Sequence, residues 1–273
     1  MTNIFHNLIY LFVFFILWML IEAQVFKIRR IKIKNKKIPK KFSNFKIIFI
    51  SDIHYGKYFR NNRLINIVKK INKLEPDIII MGGDYLDISV KSKKDVTKYL
   101  DKEFEVLKKL RAELGIFTVL GNHDYFIGKE NLLNKINSSS FKILKNTKEL
   151  ISIEGYSIQI TGLDDLIEGN PEVNVLKKNS NNFTIAISHN PDFFSDYKNV
   201  IEYDLGLSGH THGGQVTFFG LCAPYTSSKY GQRYLKKIVH EENRDIVLTS
   251  GIGNGMLPIR FFATPEIVEI TLE

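Results

Sequence analysis

Short runs of β-branched and aromatic residues recur along most of the chain, and many are closed by a small polar or glycine-bearing cluster. The runs at 46–51, 77–81, 116–120, 156–161, 183–188, 204–208, 245–250 and 267–272 are rich in Ile, Val and Phe and mostly too short for helices, which predicts buried strands. Between some of them the apolar spacing lengthens to a helical period. Leu64, Ile67, Val68, Ile71 and Leu74 recur three or four apart, predicting a helix over 61–74, and further helices are expected over 94–114 and 129–137. Residues 137–140 and 177–182 have the polar composition of surface loops. The alternation predicts an α/β protein of layered sheets with helices on their outer faces.

The start of the chain breaks this pattern. Residues 8–21 are apolar without interruption, and 4–26 extend the run with only His6, Asn7, Glu22, Ala23 and Gln24 breaking it. As a helix the longer span would reach roughly 34 Å, enough for a hydrocarbon core of about 30 Å. A cleaved signal peptide fits less well, because no Lys or Arg precedes the run and Glu22-Ala23-Gln24 is a poor cleavage site. A helix lying in the interface fits less well too, since this one is apolar all round. The expected organisation is a membrane anchor over 1–26, a basic juxtamembrane strand or linker over 27–44 and one catalytic domain over 45–273.

A formal net charge of +9 suggests nucleic acid until it is located. Nine of the 38 Lys and Arg, but only one of the 29 acids, fall within residues 1–41, so the body of the chain is close to neutral. The basic flank therefore belongs with the apolar helix. It predicts a single-pass protein of the cell inner membrane with the catalytic domain on the cytoplasmic side. Residues 26–34 partly alternate apolar and charged side chains, as an edge strand would, with a Lys face available to anionic headgroups. Nucleic acid is disfavoured as a partner, and the sequence points to no protein partner. Cys222 is the only cysteine, which rules out an intramolecular disulfide and cysteine-rich zinc chemistry and leaves it a bystander thiol.

The polar clusters carry the chemistry. Asp52-Ile53-His54, Gly83-Asp84, Gly121-Asn122-His123-Asp124, Ser188-His189-Asn190 and Gly209-His210-Thr211-His212 use five of the seven histidines together with carboxylates and an Asn. Such donors at strand ends suit a two-metal hydrolase. In extended backbone, Asp52 and His54 would leave the same face, as would His210 and His212, so each pair could share one ion. Any one cluster, His-x-His between glycines excepted, is easily explained as a surface turn or a helix cap. Five in this order, each after a strand, are not.

From Lys46 to the C terminus this series, with Asp87 following Gly83-Asp84, resembles the calcineurin-like metallophosphoesterase superfamily. Ser188-His189-Asn190-Pro191-Asp192, Gly213-Gly214-Gln215-Val216, Gly251-Ile252-Gly253 and Leu257-Pro258-Ile259-Arg260 are similar to a bacterial subgroup with an N-terminal membrane segment, which includes enzymes like UDP-2,3-diacylglucosamine pyrophosphatase. The resemblance implies a four-layer α-β-β-α sandwich of two mixed sheets flanked by helices. It further implies that Asp52, His54 and His212 hold one divalent ion, that Asn122, His189 and His210 hold the other, and that Asp84 bridges them. Mn, Fe or Zn would suit these donors, with Mn favoured in vitro. His123 would be the acid beside the leaving oxygen, with Asp124 orienting its imidazole, while Asp87 is left between support of the site and loop structure.

The implied reaction is cleavage of a phosphodiester or pyrophosphate by metal-activated water. The anchor favours a membrane-associated, lipid-linked substrate such as UDP-2,3-diacylglucosamine. A broad phosphodiesterase or phosphatase acting on nucleotide, phospholipid or cell-wall phosphates is the alternative, and a non-catalytic metal-binding scaffold the remote one. Phe193, Phe194, Phe218, Phe219, Leu221, Phe261 and Phe262 are expected in packing more than against acyl chains. Lys229, Tyr230 and Arg233 lie in a segment that is either a phosphate-contact loop or an ordinary surface turn.

Overall fold

Strands with no polar face need cover on both sides, and the chain provides it by stacking two sheets. The computed structural model describes residues 2–59, 61–90, 92–177, 181–241 and 244–273, so part of the loop expected at 177–182 lies outside the described residues. In chain order the first elements are α1 (Thr2–Glu22), β1 (Lys27–Ile33), β2 (Lys46–Ile50), α2 (Asn61–Asn72), β3 (Ile78–Met81), α3 (Lys93–Leu107), β4 (Ile116–Thr118), α4 (Asn122–Phe126) and α5 (Lys129–Asn137). There follow β5 (Phe141–Ile143), β6 (Thr147–Ile153), β7 (Tyr156–Gly162), β8 (Thr184–Ile187), α6 (Asp192–Asp196), β9 (Leu205–Ser208), β10 (Ile238–Glu241), β11 (Arg244–Leu248) and β12 (Glu266–Leu272).

The strands form two mixed six-stranded sheets, ordered β1-β12-β2-β3-β4-β5 and β10-β11-β9-β8-β7-β6. In the first, β2 to β5 run parallel and β12 is antiparallel to β2. In the second, β11, β9, β8 and β7 run parallel between antiparallel edges. Period-two alternation divides each apolar run between two cores. Ile47, Phe49, Ile78 and Ile80 face the second sheet and meet Ile160, Ile185, Ile187 and Leu207. Their neighbours Ile48, Ile50, Ile79 and Met81 face outward against Leu64 and Ile67 of α2, Phe104 of α3 and Ile136 of α5. The outer face of the second sheet is covered by the five-residue α6, through Phe193 and Phe194, and by loop side chains such as Tyr203 and Tyr234.

All eight expected strands are present with ends shifted by at most two residues, and β1 is the expected edge strand. β1 pairs along its whole length with β12, and Phe42 and Phe45 enter the inter-sheet core, so the juxtamembrane stretch adds to the sandwich. Its basic side chains are largely engaged there. Arg29, Arg30, Lys32, Lys34, Lys37 and Lys41 each have a carboxylate of the folded body within salt-bridge distance, which leaves less of the run for headgroups. The helix expected to 114 ends at Leu107, because Asn72 at the end of α2 accepts from Arg111 N at 2.9 Å and donates to Lys109 O at 2.8 Å, fixing a loop. β5, β6 and β10 were not signalled by apolar runs, since they are short or show much of their surface to water. α1 is exposed along most of its length, has a mean hydropathy of 2.3 over Ile4–Glu22 and is long and apolar enough to cross a membrane.

Candidate metal centre

The five clusters follow the ends of β2, β3, β4, β8 and β9, and the sandwich brings them together from both sheets. Ligand atoms of Asp52, His54 and His212 lie within 4.8 Å of one another, as do those of Asp84, His189 and His210. Asp84 Oδ2 is 3.6 Å from His54 Nε2 and 3.3 Å from His189 Nε2, so one carboxylate oxygen faces both groups. His212 Nε2 is 3.5 Å from Asp52 Oδ1 and 3.0 Å from His54 Nε2. His54, Asp84 and His123 form a third such group.

The backbone that does this is not extended. Asp52, His54, Asp84, His210 and His212 have φ of 54°, 45°, 58°, 65° and 51°. The expectation that two-residue spacing would put each pair on one strand face is therefore wrong: the strands end first, and left-handed residues turn the side chains inward. Each such residue costs about 1–3 kcal/mol, a strain typical of functional sites. Cross-loop bonds hold the conformation, with Asp52 N donating to Gly83 O at 2.9 Å, His54 N to Asp84 O at 3.1 Å and Gly253 N to Asp52 O at 2.8 Å. Close approach also requires missing side chains. A Cβ at Gly121 would strike Asp84 Oδ1 and His189 Cε1, and one at Gly209 would strike Asp52 Oδ2.

The donors fit divalent ions. His189 Nδ1 donates to Gly82 O at 2.7 Å and His210 Nε2 to Ser227 O at 3.0 Å, which leaves Nε2 of His189 and Nδ1 of His210 as the nitrogens that can take an ion. Asn122 Oδ1 and His189 Nε2 are buried with no hydrogen-bond partner among the described residues. Burial lowers the His54 pKa to about 3 and that of His210 to about 4, so both are neutral, as ligands must be. Burial works to raise Asp84, but His189, His123 and His54 outweigh it and hold the carboxyl well below its ordinary range. The same pairing with Asp84 lifts His189 well above the usual value, against its burial.

His123 lies at the edge of this cluster, its ring centroid 4.6 Å from that of His54 and its Nδ1 buried with no hydrogen-bond partner among the described residues. Asp124 does not orient that imidazole, contrary to expectation. Its carboxylate accepts from the backbone N–H groups of Asp84 at 2.9 Å, Tyr85 at 2.9 Å and Gly121 at 2.8 Å, so it shapes the loops that carry Asp84 and Asn122. Asp87 accepts from Ser89 N at 2.8 Å and closes a turn. Lys229 and Tyr230 are bound to Asp196, and Arg233 to Glu241, while the segment's link to the cluster is the carbonyl of Ser227.

One side chain that had only a motif and no role proves central. Arg260, fully buried, donates to His212 O at 2.8 Å and places Nη2 3.0 Å from His212 Nδ1. Burial pulls its pKa down to about 9, which leaves it a cation at neutral pH. A fully charged residue inside the otherwise uncharged stretch 251–265 was the available signal. A concavity of about 1040 Å³, lined by Lys36, Lys148, Arg233 and Arg244 among others, lies away from the cluster, at the edge where β8 and β9 begin.

The calcineurin-like phosphoesterase family model matches residues 45–214. A Bacillus subtilis protein, the uncharacterized metallophosphoesterase YkuE, is 33% identical over 250 residues, covering 88% of this chain and 83% of its own. An Aquifex aeolicus metallophosphoesterase is 30% identical over 267 residues, with 93% and 94% covered. Phosphodiesterase YaeI of Escherichia coli is 27% identical over 234 residues, with 84% and 82% covered. Among solved structures, a dimetal phosphatase from Danio rerio aligns with a TM-score of 0.51 at 12% identity, over 77% of this chain and 88% of that one. The Haemophilus influenzae NAD nucleotidase aligns with 0.52 at 15% identity, over 76% and 45%. At these identities the two structures speak for the fold alone.

Proposed function

Since the chain belongs to the calcineurin-like phosphoesterase family and is thus a metal-dependent phosphoesterase, we propose that Asp52, His54 and His212 hold one divalent cation, that Asn122, His189 and His210 hold a second, and that Asp84 serves both. The observation that carries this is the single Asp84 oxygen facing His54 and His189. When bound, the cations supply an activated water and positive charge for the phosphoryl oxygens. The residues do the rest. Gly82 O and Ser227 O keep two imidazoles turned with a lone pair inward, Asp124 fixes the loop of Asp84, and the walls exclude bulk water. His123, beside His54 yet outside the proposed ligand set, delivers a proton to the leaving oxygen.

The substrate is a phosphodiester or pyrophosphate held near a membrane, with UDP-2,3-diacylglucosamine the leading candidate. The apolar α1 supports the membrane location, and the similarity to the Escherichia coli phosphodiesterase YaeI supports a diester; a broad phosphodiesterase is the second choice. Orientation follows from the basic residues after α1, which act during insertion, before the salt bridges of β1 exist, and favour a cytoplasmic domain. The test uses full chain in detergent with UDP-2,3-diacylglucosamine, bis-p-nitrophenyl phosphate and p-nitrophenyl phosphate under Mn, Fe or Zn. Turnover should vanish with EDTA and return with metal, Mn giving the highest rate. Preference for the lipid nucleotide supports the leading candidate, and equal turnover of the simple diester replaces it with the broad one. No turnover of any ester by metal-loaded protein overturns the proposed site.

A further inference from the structure

Three of the four phenylalanines of the late loops, and Leu221 with them, do not share the fate of the buried Phe193 and Phe194. Phe218, Phe219 and Leu221 are 59%, 69% and 82% exposed, and Met256, Leu257 and Phe262 are 74%, 58% and 43% exposed. They come from two stretches that are joined edge to edge: Thr217 N donates to Phe261 O at 3.0 Å, Phe261 N to Gln215 O at 3.0 Å and Gln215 Nε2 to Leu257 O at 3.1 Å. The rings of Phe219 and Phe262 lie 5.0 Å apart. Residues 213–228 contain no charged side chain, and 251–265 contain only Arg260, which is fully buried. The two stretches thus bring no charged side chain to this surface.

The end of α1 is clamped to the same loops. Glu22 accepts from Phe262 N at 3.0 Å and from Thr264 Oγ1 at 2.9 Å, Met19 O accepts from Arg260 N at 3.0 Å, and the ring of Phe15 packs edge-on to Phe261 at 5.7 Å. Phe15 precedes Glu22 by seven residues, about 10 Å along a helix axis. A helix of 21 residues is about 32 Å long and the hydrocarbon core about 30 Å thick, so α1 cannot be raised far enough to bring Phe15 into water and still span. Phe261 must then descend to the level of Phe15.

We propose that Phe218, Phe219, Leu221, Met256, Leu257 and Phe262 form a collar that sinks into the bilayer beside α1, so that the cluster of histidines behind it opens at the lipid surface. The proposal rests on α1 being a membrane span. It gives the site a physical preference for phosphoesters presented from the membrane, because His212 lies only three residues before Gln215 and Arg260 joins His212 to the collar.

Cys222, exposed beside Leu221 and the only cysteine, reports the depth of this surface. The full chain labelled there with a polarity-sensitive dye is reconstituted in phosphatidylethanolamine–phosphatidylglycerol vesicles carrying a nitroxide on the upper acyl chain. Expected are flotation with the vesicles, a blue-shifted emission and stronger quenching by the nitroxide than by aqueous iodide. Phe219→Asp with Leu221→Asp should return the emission towards that of a dye in water without loss of flotation. Flotation with a water-like, iodide-quenched label overturns the collar and leaves the anchor standing, whereas failure to float overturns both. Shielding from iodide and nitroxide alike would mean that protein, such as a second copy, covers the surface, and also overturns the proposal.

Discussion

On one side of Asp84 the histidines are held by oxygen, on the other by nitrogen. His189 and His210 give their outer N–H to Gly82 O and Ser227 O, so each is set in the tautomer a cation needs. His212 instead turns Nδ1 to the guanidinium of Arg260, which only donates, and His54 Nδ1 has no partner among the described residues. Neutral His212 therefore carries its proton on Nε2, facing His54 Nε2 at 3.0 Å. A cation at Asp52, His54 and His212 needs the other tautomer of His212 and so needs the guanidinium turned, whereas one at Asn122, His189 and His210 meets tautomers already set and has only to displace the proton that Asp84 favours on His189. The two halves of the centre are alike in donor count and unlike in preparation.

Four experiments break or sharpen this contrast. Asp84→Ala has the largest effect, because it removes the carboxylate that both halves face: metal content by mass spectrometry should fall towards zero and phosphoester hydrolysis to background. One tightly held equivalent in that variant would show the halves to be independent. His123→Ala should lower kcat by about 10²- to 10⁴-fold with metal content unchanged. Metal loss would instead place His123 among the ligands, as its grouping with His54 and Asp84 allows.

Arg260→Met acts on one half alone. Calorimetric titration of wild type should resolve two metal-binding steps, the tighter at Asn122, His189 and His210 and the weaker at Asp52, His54 and His212. The variant removes the donor that keeps the His212 proton on Nε2, so it should tighten the weaker step by about 10- to 100-fold and spare the tighter one. An equal change in both would erase the distinction between oxygen-held and nitrogen-held halves.

Glu103→Gln gives the smallest effect and probes what stands behind the brace of Asp84. Glu103 lies in α3 with both oxygens buried and without a hydrogen-bond partner among the described residues, and burial, helped by Asp124, pushes its carboxyl well above the ordinary range. The folded state thus takes up a proton that the unfolded state releases, so this group's contribution falls as pH rises from the ordinary carboxylate range towards neutrality. Gln cannot titrate. Melting curves of the variant should lose that slope and, at neutral pH, lie a few degrees above wild type, at about 2–4 °C per kcal/mol. A wild-type midpoint gaining more than the variant's over that window would reverse the assignment.

The legible parts of this protein were those with local causes. Continuous apolar runs announced strands with two buried faces, as in Ile47 to Ile50, while β6, with much of its surface in water, sent no such signal. Candidate ligands were legible because donor chemistry belongs to the residue. Their conformation was not: Asp52 and His54 follow a strand, so extended spacing was the natural assumption, yet both are left-handed. Asp124 shows the same gap, its carboxylate being used by three backbone N–H groups, two of them 39 and 40 positions away and one three positions away, rather than by the neighbouring His123.

By itself, then, the sequence determined the donor set and its order, the buried strands and an apolar helix of membrane-spanning length, because side-chain chemistry and periodicity are written one residue at a time. Only the tertiary structure decided which ring nitrogen each histidine turns inward and that α1 ends on the loop of Arg260. The physical reason is that backbone carbonyls and N–H groups are nearly the same at every position, so composition cannot say which of them a buried side chain will meet. Packing makes that choice, and here it made it differently on the two sides of one aspartate.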